Sequence, residues 1–218
     1  MPLGAAAGRP AERLVMLYLF DEINRLRDDF PELAFSMLSE QRRAKAFAYR
    51  FPEDRKLSAA VYLLLRLGLR EDYGIDEPVV FVYGENGKPF LRDYPGIHFN
   101  LSHCRAAAAC AIAGSPVGVD AQEIRPVSDK AAQYALSPGE YEEYRAARDP
   151  ARRFCELWTA KESYLKRTGQ GIGTDLTALS AQKIPDKALF VNGPVYCACV
   201  CGPAGPLRRI GAEGLIPL

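Results

Sequence analysis

The chain has 218 residues, of which 48% are hydrophobic and 25% charged, a composition typical of soluble globular proteins. Its formal net charge is only +1, so no overall field attracts nucleic acid, and an anionic ligand must be held by a local cluster. No apolar run approaches the roughly 18 residues of a membrane-spanning helix. Residues 1–10 lack the pattern of a secretory signal and are expected to form a short flexible lead-in. We therefore expect a cytoplasmic protein with neither a membrane nor a nucleic-acid partner.

Apolar periodicity and turn residues predict the elements in chain order. In the first half we expect a strand at 14–20, a helix at 22–33, a basic helix at 40–49 capped by Ser39, a longer helix from Pro52, and strands at 79–83, 97–101 and 106–113. After a turn at 114–116, we expect a strand at 117–120, helices at 137–147 and around 158–166, and strands at 188–191 and 195–201. No linker is evident, so the halves are expected to pack around a cleft.

Three of the six cysteines alternate along the last of these predicted strands. This places the thiols of Cys197, Cys199 and Cys201 on one face. A metal site is one interpretation, but zinc ligands are usually separated by two or more residues, and the chain has only two histidines to help. We therefore expect buried, reduced thiols, which are typical of the cytoplasm.

The segment 158–166 (WTAKESYLK) carries charged residues beside an apolar stripe. The stripe repeats at helical spacing and consists of Phe154, Leu157, Trp158 and Leu165. Lys161 points into its middle, and Glu162 and Lys166 lie one turn apart along its edge. Such charges are costly unless they are paired, and a metal or a phosphate would pair them. The alternative is an ordinary Glu-to-Lys pair on the helix surface.

A second segment, 117–123 (VGVDAQE), predicts a strand that meets an acid. Asp120 at the end of a buried strand would hold its carboxylate rigidly at the rim of the sheet. Mg²⁺ suits such a position, because it binds one or two carboxylates together with waters and substrate phosphates. The alternative is an aspartate that caps the next helix.

Together the two segments resemble the signature of the 4'-phosphopantetheinyl transferases, in particular the larger, monomeric class that activates peptide and polyketide synthases. Three further segments match in order: ENGKP at 85–89, FNLSH at 99–103 and LSPGE at 136–140. The resemblance extends from about residue 38 to residue 201. It implies an α+β fold of two similarly folded halves, 1–114 and 115–218, related by a pseudo-twofold axis. Each half would be a small antiparallel sheet with packed helices.

The resemblance also implies a reaction. The 4'-phosphopantetheine arm of coenzyme A would pass to a serine of an apo acyl or peptidyl carrier protein, and 3',5'-ADP would be released. Asp120 and Glu162 would hold Mg²⁺. Gln122 replaces the family's usual second acid and is expected to be a weak, uncharged ligand, whereas Glu123 points the other way on an extended chain. Glu162 or a metal-polarised water would take the serine proton, and Lys166 would stabilise the leaving group.

Coenzyme A contacts carry over by position. The resemblance assigns the 3'-phosphate to Arg42, Lys45, Ser58 and Lys88, the adenine to Pro89, and the remaining phosphates to Ser102 and His103. A solvated basic face is the alternative for Arg42 and Lys45. Lys161 is expected to be either a phosphate contact or part of a buried ion pair.

Two other classes of function compete with this interpretation. The loss of an acid at Gln122, and Leu57 at a position that is often basic, would suit a non-catalytic module that binds coenzyme A or a carrier protein. The retained Asp120, Glu162 and Lys166 argue against it. Another Mg²⁺-dependent phosphotransferase is the second rival, but the Gly-rich loop of P-loop enzymes is missing from the sequence.

Overall fold

A computed structural model describes residues 15–171, 173, 175–203 and 205–215 of the chain. The lead-in predicted for residues 1–10 lies outside this part. The strands are β1 (Met16–Phe20), β2 (Phe81–Tyr83), β3 (Pro89–Leu91), β4 (His98–Cys104), β5 (Ala107–Ala113), β6 (Gly118–Glu123), β7 (Lys187–Asn192), β8 (Tyr196–Cys201) and β9 (Leu207–Arg209). The helices are α1 (Phe30–Leu33), α2 (Glu40–Phe47), α3 (Pro52–Tyr73), α4 (Asp129–Ala135), α5 (Pro138–Ala146), α6 (Pro150–Thr168) and α7 (Ala212–Leu215).

The strands form two small sheets and a hairpin. The first sheet has the order β4-β5-β1-β9, the second has the order β6-β8-β7, and β2 pairs with β3. All pairings are antiparallel except β1 with β9, which is parallel. The mixed fold of small sheets and packed helices agrees with the prediction. The first sheet is not purely antiparallel, however, because the chain returns from the second half to add β9 at its edge.

The two sheets face each other, with a long helix on each outer side. Helix α3 packs on β1 and β5 of the first sheet. The opposite face of β5 presents only small side chains, Ala107, Ala109, Ala111 and Ala113, which pack towards the second sheet. Helix α6 covers the outer face of the second sheet so closely that a Cβ added at Gly118 would lie 2.0 Å from the backbone oxygen of Ser163. This close approach brings α6 directly onto β6.

Several predicted elements need correction. The helix expected at 22–33 is broken into a 3-10 turn, Ile23–Arg25, and the short α1, because Pro31 has no backbone N–H and belongs in a first helical turn. Ser39 precedes α2 as predicted, but its side chain makes no capping bond. Asp120 does not end its strand, since β8 pairs with β6 as far as Glu123. No helix in the described ranges is long and apolar enough to cross a membrane.

The cysteines follow the predicted pattern. Cys197, Cys199 and Cys201 alternate along β8 and are fully buried. All six cysteines of the chain are free thiols. Burial raises the pKa of the Cys199 thiol to about 11, so this thiol stays protonated at neutral pH.

Candidate active site

Two edge strands, β4 and β6, meet through side chains rather than through a backbone ladder. The Oδ1 atom of Asn100 accepts a hydrogen bond from the backbone N–H of Val119 at 2.9 Å. The Oγ atom of Ser102 accepts one from the backbone N–H of Ala121 at 3.1 Å. The FNLSH segment therefore joins the two sheets, and it holds Ser102 directly beside Asp120.

A pair of buried acids lies where α6 crosses β6. The Oδ1 atom of Asp120 accepts hydrogen bonds from Lys166 Nζ at 2.6 Å and from Ser102 Oγ at 3.0 Å. Its Oδ2 atom and the Oε1 atom of Glu162 are both buried without a hydrogen-bond partner. Burial, and then the charge of Asp120, raise the pKa of Glu162, whereas Lys166 lowers it. Two unpartnered carboxylate oxygens this close together fit a hard divalent cation.

The third acid that would complete such a cluster is missing. In the described part of the chain, no three His, Cys, Asp and Glu side chains converge as metal ligands would. Gln122 follows Asp120 by two residues in β6 and so lies on the same face of the strand. Glu123 lies on the opposite face, as the alternation predicts. Any metal here would be held by two charges rather than three.

Lys166 does not form the ordinary helix pair with Glu162. Its ammonium is bonded instead to Asp120 on β6, and to Ser102 Oγ at 3.1 Å. The side chain remains 30% exposed. The side chain of Lys166 therefore extends from the acid pair to solvent-accessible space.

That space is a cleft of about 320 Å³, lined by side chains from residues 42 to 103 and by Lys166 of α6. It brings together seven of the predicted site residues: Arg42, Lys45, Ser58, Pro89, Ser102, His103 and Lys166. Three aromatic residues, Tyr49, Phe81 and Tyr83, also line it and were not predicted. Nothing in their spacing distinguishes them from core residues, so only the fold places them at the site.

Arg42 is a buried cation without an acid. It is only 4% exposed, and its Nη2 atom donates to the backbone oxygen of Ser58 at 2.9 Å and to the hydroxyl at 3.3 Å. Its Nε atom is buried without a partner, and none of the ion pairs in the described residues includes Arg42 or the nearby Lys45. Burial lowers the pKa of both groups. Such uncompensated charge fits an anionic ligand.

His103 belongs to the same wall of the cleft. Burial lowers the pKa of its imidazole, and the charges of Lys166, Arg42 and Lys45 lower it further. At neutral pH the ring is therefore uncharged, and it can act as a hydrogen-bond donor to a phosphate without adding charge.

A second cleft of about 280 Å³ adjoins the first. The two share Gly87, Pro89, Asn100, Leu101 and Lys166. Glu162 lines only the second cleft. Lys166, which is bonded to Asp120, therefore lies at the junction of two spaces, one rich in cations and the other leading past Glu162.

The ammonium of Lys88 is bonded to backbone oxygens of the protein itself. Its ammonium donates to the backbone oxygens of Lys166 at 2.6 Å, Arg167 at 2.7 Å and Val117 at 3.2 Å. Two carbonyls at the end of α6 and one immediately before β6 use all three of its hydrogens, and burial lowers its pKa to about 8. Lys88 is absent from the wall of the first cleft, where Arg42 and Lys45 lie. It therefore ties the GKP turn to the end of α6 and lines the second cleft rather than the first, and its contact with a 3'-phosphate stays a prediction.

The surroundings of Lys161 distinguish between its two expected roles. It is fully buried, and its Nζ atom lies 2.6 Å from Glu140 Oε2. It lines neither of the two clefts. Of the two roles expected from the sequence, the structure therefore supports the buried ion pair, and Lys161 does not contact a ligand.

An acid pair beside unpaired cations in a cleft is typical of proteins that act on polyphosphate ligands. The model of the 4'-phosphopantetheinyl transferase superfamily matches residues 116–203, which include Asp120, Glu162 and Lys166. The 4'-phosphopantetheinyl transferase psf-1 of Bacillus pumilus is 34% identical over 169 residues, 75% of this chain and 72% of the relative. HetI of Nostoc sp. is 37% identical over 71% of each chain, and Sfp of Bacillus subtilis is 29% identical over 75% of this chain and 74% of the relative. The chain belongs to the 4'-phosphopantetheinyl transferase superfamily and is a transferase.

Proposed function

We propose that this protein transfers the 4'-phosphopantetheine moiety of coenzyme A to a serine of an apo acyl or peptidyl carrier protein. Mg²⁺ would be the metal cofactor, and 3',5'-ADP the second product. The observation that carries the proposal is the junction of the two clefts. There Lys166, bonded to Asp120, lines both the cleft that contains Arg42 and Lys45 and the cleft that contains Glu162. A binding module without catalysis has no use for two buried, unpartnered carboxylate oxygens.

The first cleft would hold the nucleotide end of coenzyme A. The 3'-phosphate would be bound by Arg42, Lys45 and the hydroxyl of Ser58. Among the described residues no acid pairs with the two cations, and the hydroxyl adds a hydrogen-bond donor. Pro89 would lie beside the adenine. This placement leaves the pyrophosphate near His103, Ser102 and Lys166.

The acid pair would hold the metal, with Gln122 as a neutral ligand or a partner of a bound water. When bound, Mg²⁺ neutralises pyrophosphate charge and polarises the phosphorus under attack. The unpartnered Asp120 Oδ2 and Glu162 Oε1 atoms support this role. The metal would thus have two carboxylate ligands, Asp120 and Glu162, and one amide, Gln122.

The protein's own residues would move the proton and stabilise the charge. Glu162, which lines the second cleft beside Lys166, would accept the proton of the carrier serine as its oxygen attacks the β-phosphate. The ammonium of Lys166 would stabilise the negative charge that develops on 3',5'-ADP as the bond to the pyrophosphate bridge breaks. Most of the catalysis would be positioning and electrostatics, as in other phosphoryl transfers.

We further propose that the protein is a cytoplasmic monomer whose halves, 1–114 and 115–218, are related by an internal twofold axis. The order of layers, with a helix outside each of two facing sheets, supports the relation between the halves. The six free thiols are the arrangement expected in a reducing compartment.

The direct test is incubation with coenzyme A, Mg²⁺ and apo carrier proteins of the acyl and peptidyl types, read by intact mass. The expected result is a carrier heavier by one phosphopantetheine, together with free 3',5'-ADP. Release of neither product from any carrier, by a protein that binds coenzyme A, would support the binding module instead.

The assignment of the 3'-phosphate predicts that two cations behave differently. Arg42→Met should weaken coenzyme A binding by on the order of 10- to 100-fold, the loss of a charge-assisted contact, with little effect on dephospho-coenzyme A. Lys88→Met is the matched control, since its ammonium is bonded to helix carbonyls. Any loss it causes should be equal for both ligands. Calorimetric titration of both ligands against both variants makes the comparison, and the reverse pattern would restore Lys88 to the 3'-phosphate.

Gln122→Glu should tighten Mg²⁺ binding and leave transfer intact. The substitution adds a negative charge on the face of β6 that carries Asp120, and a charged contact is worth roughly 1–3 kcal/mol, or about 5- to 150-fold in affinity. The matched control is Glu123→Gln, on the opposite face. A metal titration in which Gln122→Glu binds Mg²⁺ no more tightly than wild type would remove residue 122 from the metal site.

A further inference from the structure

Lys161 and Glu140 form a buried ion pair that the proposed reaction does not use. All three hydrogens of the Lys161 ammonium have acceptors: Glu140 Oε2 at 2.6 Å, and the backbone oxygens of Ala135 and Leu176, each at 2.8 Å. Lys161 is fully buried, and Glu140 is only 2% exposed. The pair is therefore closed to ligands.

Both oxygens of the Glu140 carboxylate also accept hydrogen bonds from backbone N–H groups. Its Oε1 atom accepts a hydrogen bond from the backbone N–H of Ala181 at 2.7 Å, and its Oε2 atom accepts one from Ser137 at 2.9 Å. The two side chains thus connect the end of α4, the start of α5, the middle of α6, and the segment that follows α6. No other ion pair among the described residues is so completely buried.

Burial alone does not account for such a pair. Removing two charges from water is costly, and well-packed apolar residues in their place are often neutral or stabilising. Helix α6 already packs on its neighbours through apolar residues such as Phe154 and Leu157. The ion pair instead fixes orientation. Its five hydrogen-bonded contacts restrict the rotation of α6 about its axis, and they hold Leu176 and Ala181 in the segment that follows α6.

The orientation of α6 affects the geometry of the acid pair, Asp120 and Glu162. Glu162 follows Lys161 in α6, so a rotation that moves Lys161 also moves the Glu162 carboxylate relative to Asp120 on β6. Gly169 and Gly171, which line the second cleft beside Glu162, precede Leu176 in the chain. The ion pair is therefore adjacent to a candidate metal ligand and close in sequence to part of the wall beside it.

We propose that Lys161 and Glu140 are positioning residues, which fix the Glu162 carboxylate and the wall of the second cleft for the transfer reaction. The inference rests on the proposed function for its kinetic readout. It has a second readout, Mg²⁺ affinity, that needs no turnover.

The test is the double variant Glu140→Gln, Lys161→Met. The amide of Gln keeps an acceptor for a backbone N–H, and Met keeps the length of the lysine stem, so no charge is left buried. The matched control is Glu143→Gln, Arg153→Met, which removes an exposed ion pair between the same two helices, α5 and α6. Melting temperature, Mg²⁺ affinity, coenzyme A affinity and kcat are measured for both.

We expect the double variant to melt within a few degrees of wild type, while kcat and Mg²⁺ affinity each fall by on the order of 10- to 100-fold, the range seen when groups that orient metal ligands are lost. Coenzyme A affinity should change little, and the control should match wild type throughout. A folded double variant with wild-type kcat and Mg²⁺ affinity would overturn the inference while leaving the proposed function intact.

If the double variant does not fold, Lys161→Arg is measured instead. It keeps the charge but alters the geometry, and unchanged kcat and Mg²⁺ affinity would again overturn the inference. A wild type that neither transfers nor binds Mg²⁺ would overturn both proposals.

Discussion

Glu162→Gln should abolish transfer while the metal-free protein melts at or above the wild-type temperature. The Oε1 atom of Glu162 is buried without a partner, and burial and the charge of Asp120 raise its pKa, so the charged form is destabilising in the absence of a cation. The amide removes that charge and the capacity to bind metal together. Loss of a metal-holding carboxylate should lower the rate by on the order of 10²–10³-fold or more.

Asp120→Asn should be equally inactive but less stable, because the ammonium of Lys166 loses the carboxylate with which it forms an ion pair. Rates come from intact mass of the carrier, and stability from thermal melts with and without Mg²⁺. Wild type should gain melting temperature with Mg²⁺, whereas neither acid variant should. Glu156→Gln, on the same helix but paired with Arg152 and Arg153 at its surface, is the control. Near wild-type turnover in either acid variant would show that these carboxylates do not hold the metal.

The local patterns of the sequence predict much of this site. The apolar stripe of α6 places Glu162 and Lys166 along one edge of the helix, and Gly169 ends the helix in the left-handed conformation with φ 73°. Alternation along β6 separates Gln122 from Glu123 correctly. These outcomes depend only on the period of a helix or a strand, which the sequence contains directly.

The partners of the cations could not be predicted in the same way. Lys88 and Lys161 both occur in segments that match the family, yet each ammonium is bonded to backbone oxygens that are distant in sequence. Backbone acceptors are the same at every residue, so no sequence pattern marks them. The short α4 and the parallel β9 were missed for a related reason, since tertiary packing and pairing with β1 stabilise them more than their own composition does.

Lys166→Met should lower kcat by on the order of 10²–10³-fold while coenzyme A affinity falls much less. In the structure the ammonium is bonded to Asp120 and Ser102 at the junction of the two clefts, and the side chain is 30% exposed. A pyrophosphate at this junction offers further oxygens, and the charge on them grows as 3',5'-ADP leaves. An interaction that strengthens along the reaction lowers kcat when it is removed, rather than raising KM alone.

Two further variants distinguish electrostatic stabilisation by Lys166 from proton donation, and a role in catalysis from a role in coenzyme A binding. Lys166→Arg keeps a permanent charge but cannot release a proton, so a rate at least about tenfold above that of Lys166→Met would assign the role of Lys166 to electrostatics. Lys45→Met removes an exposed lysine from the same cleft and should raise KM with kcat unchanged, because Lys45 lines the first cleft whereas Glu162 lines only the second. Steady-state kinetics with a fixed carrier measures all three. A Lys166→Met enzyme whose kcat equals that of wild type would mean that the reacting phosphate does not lie at this junction.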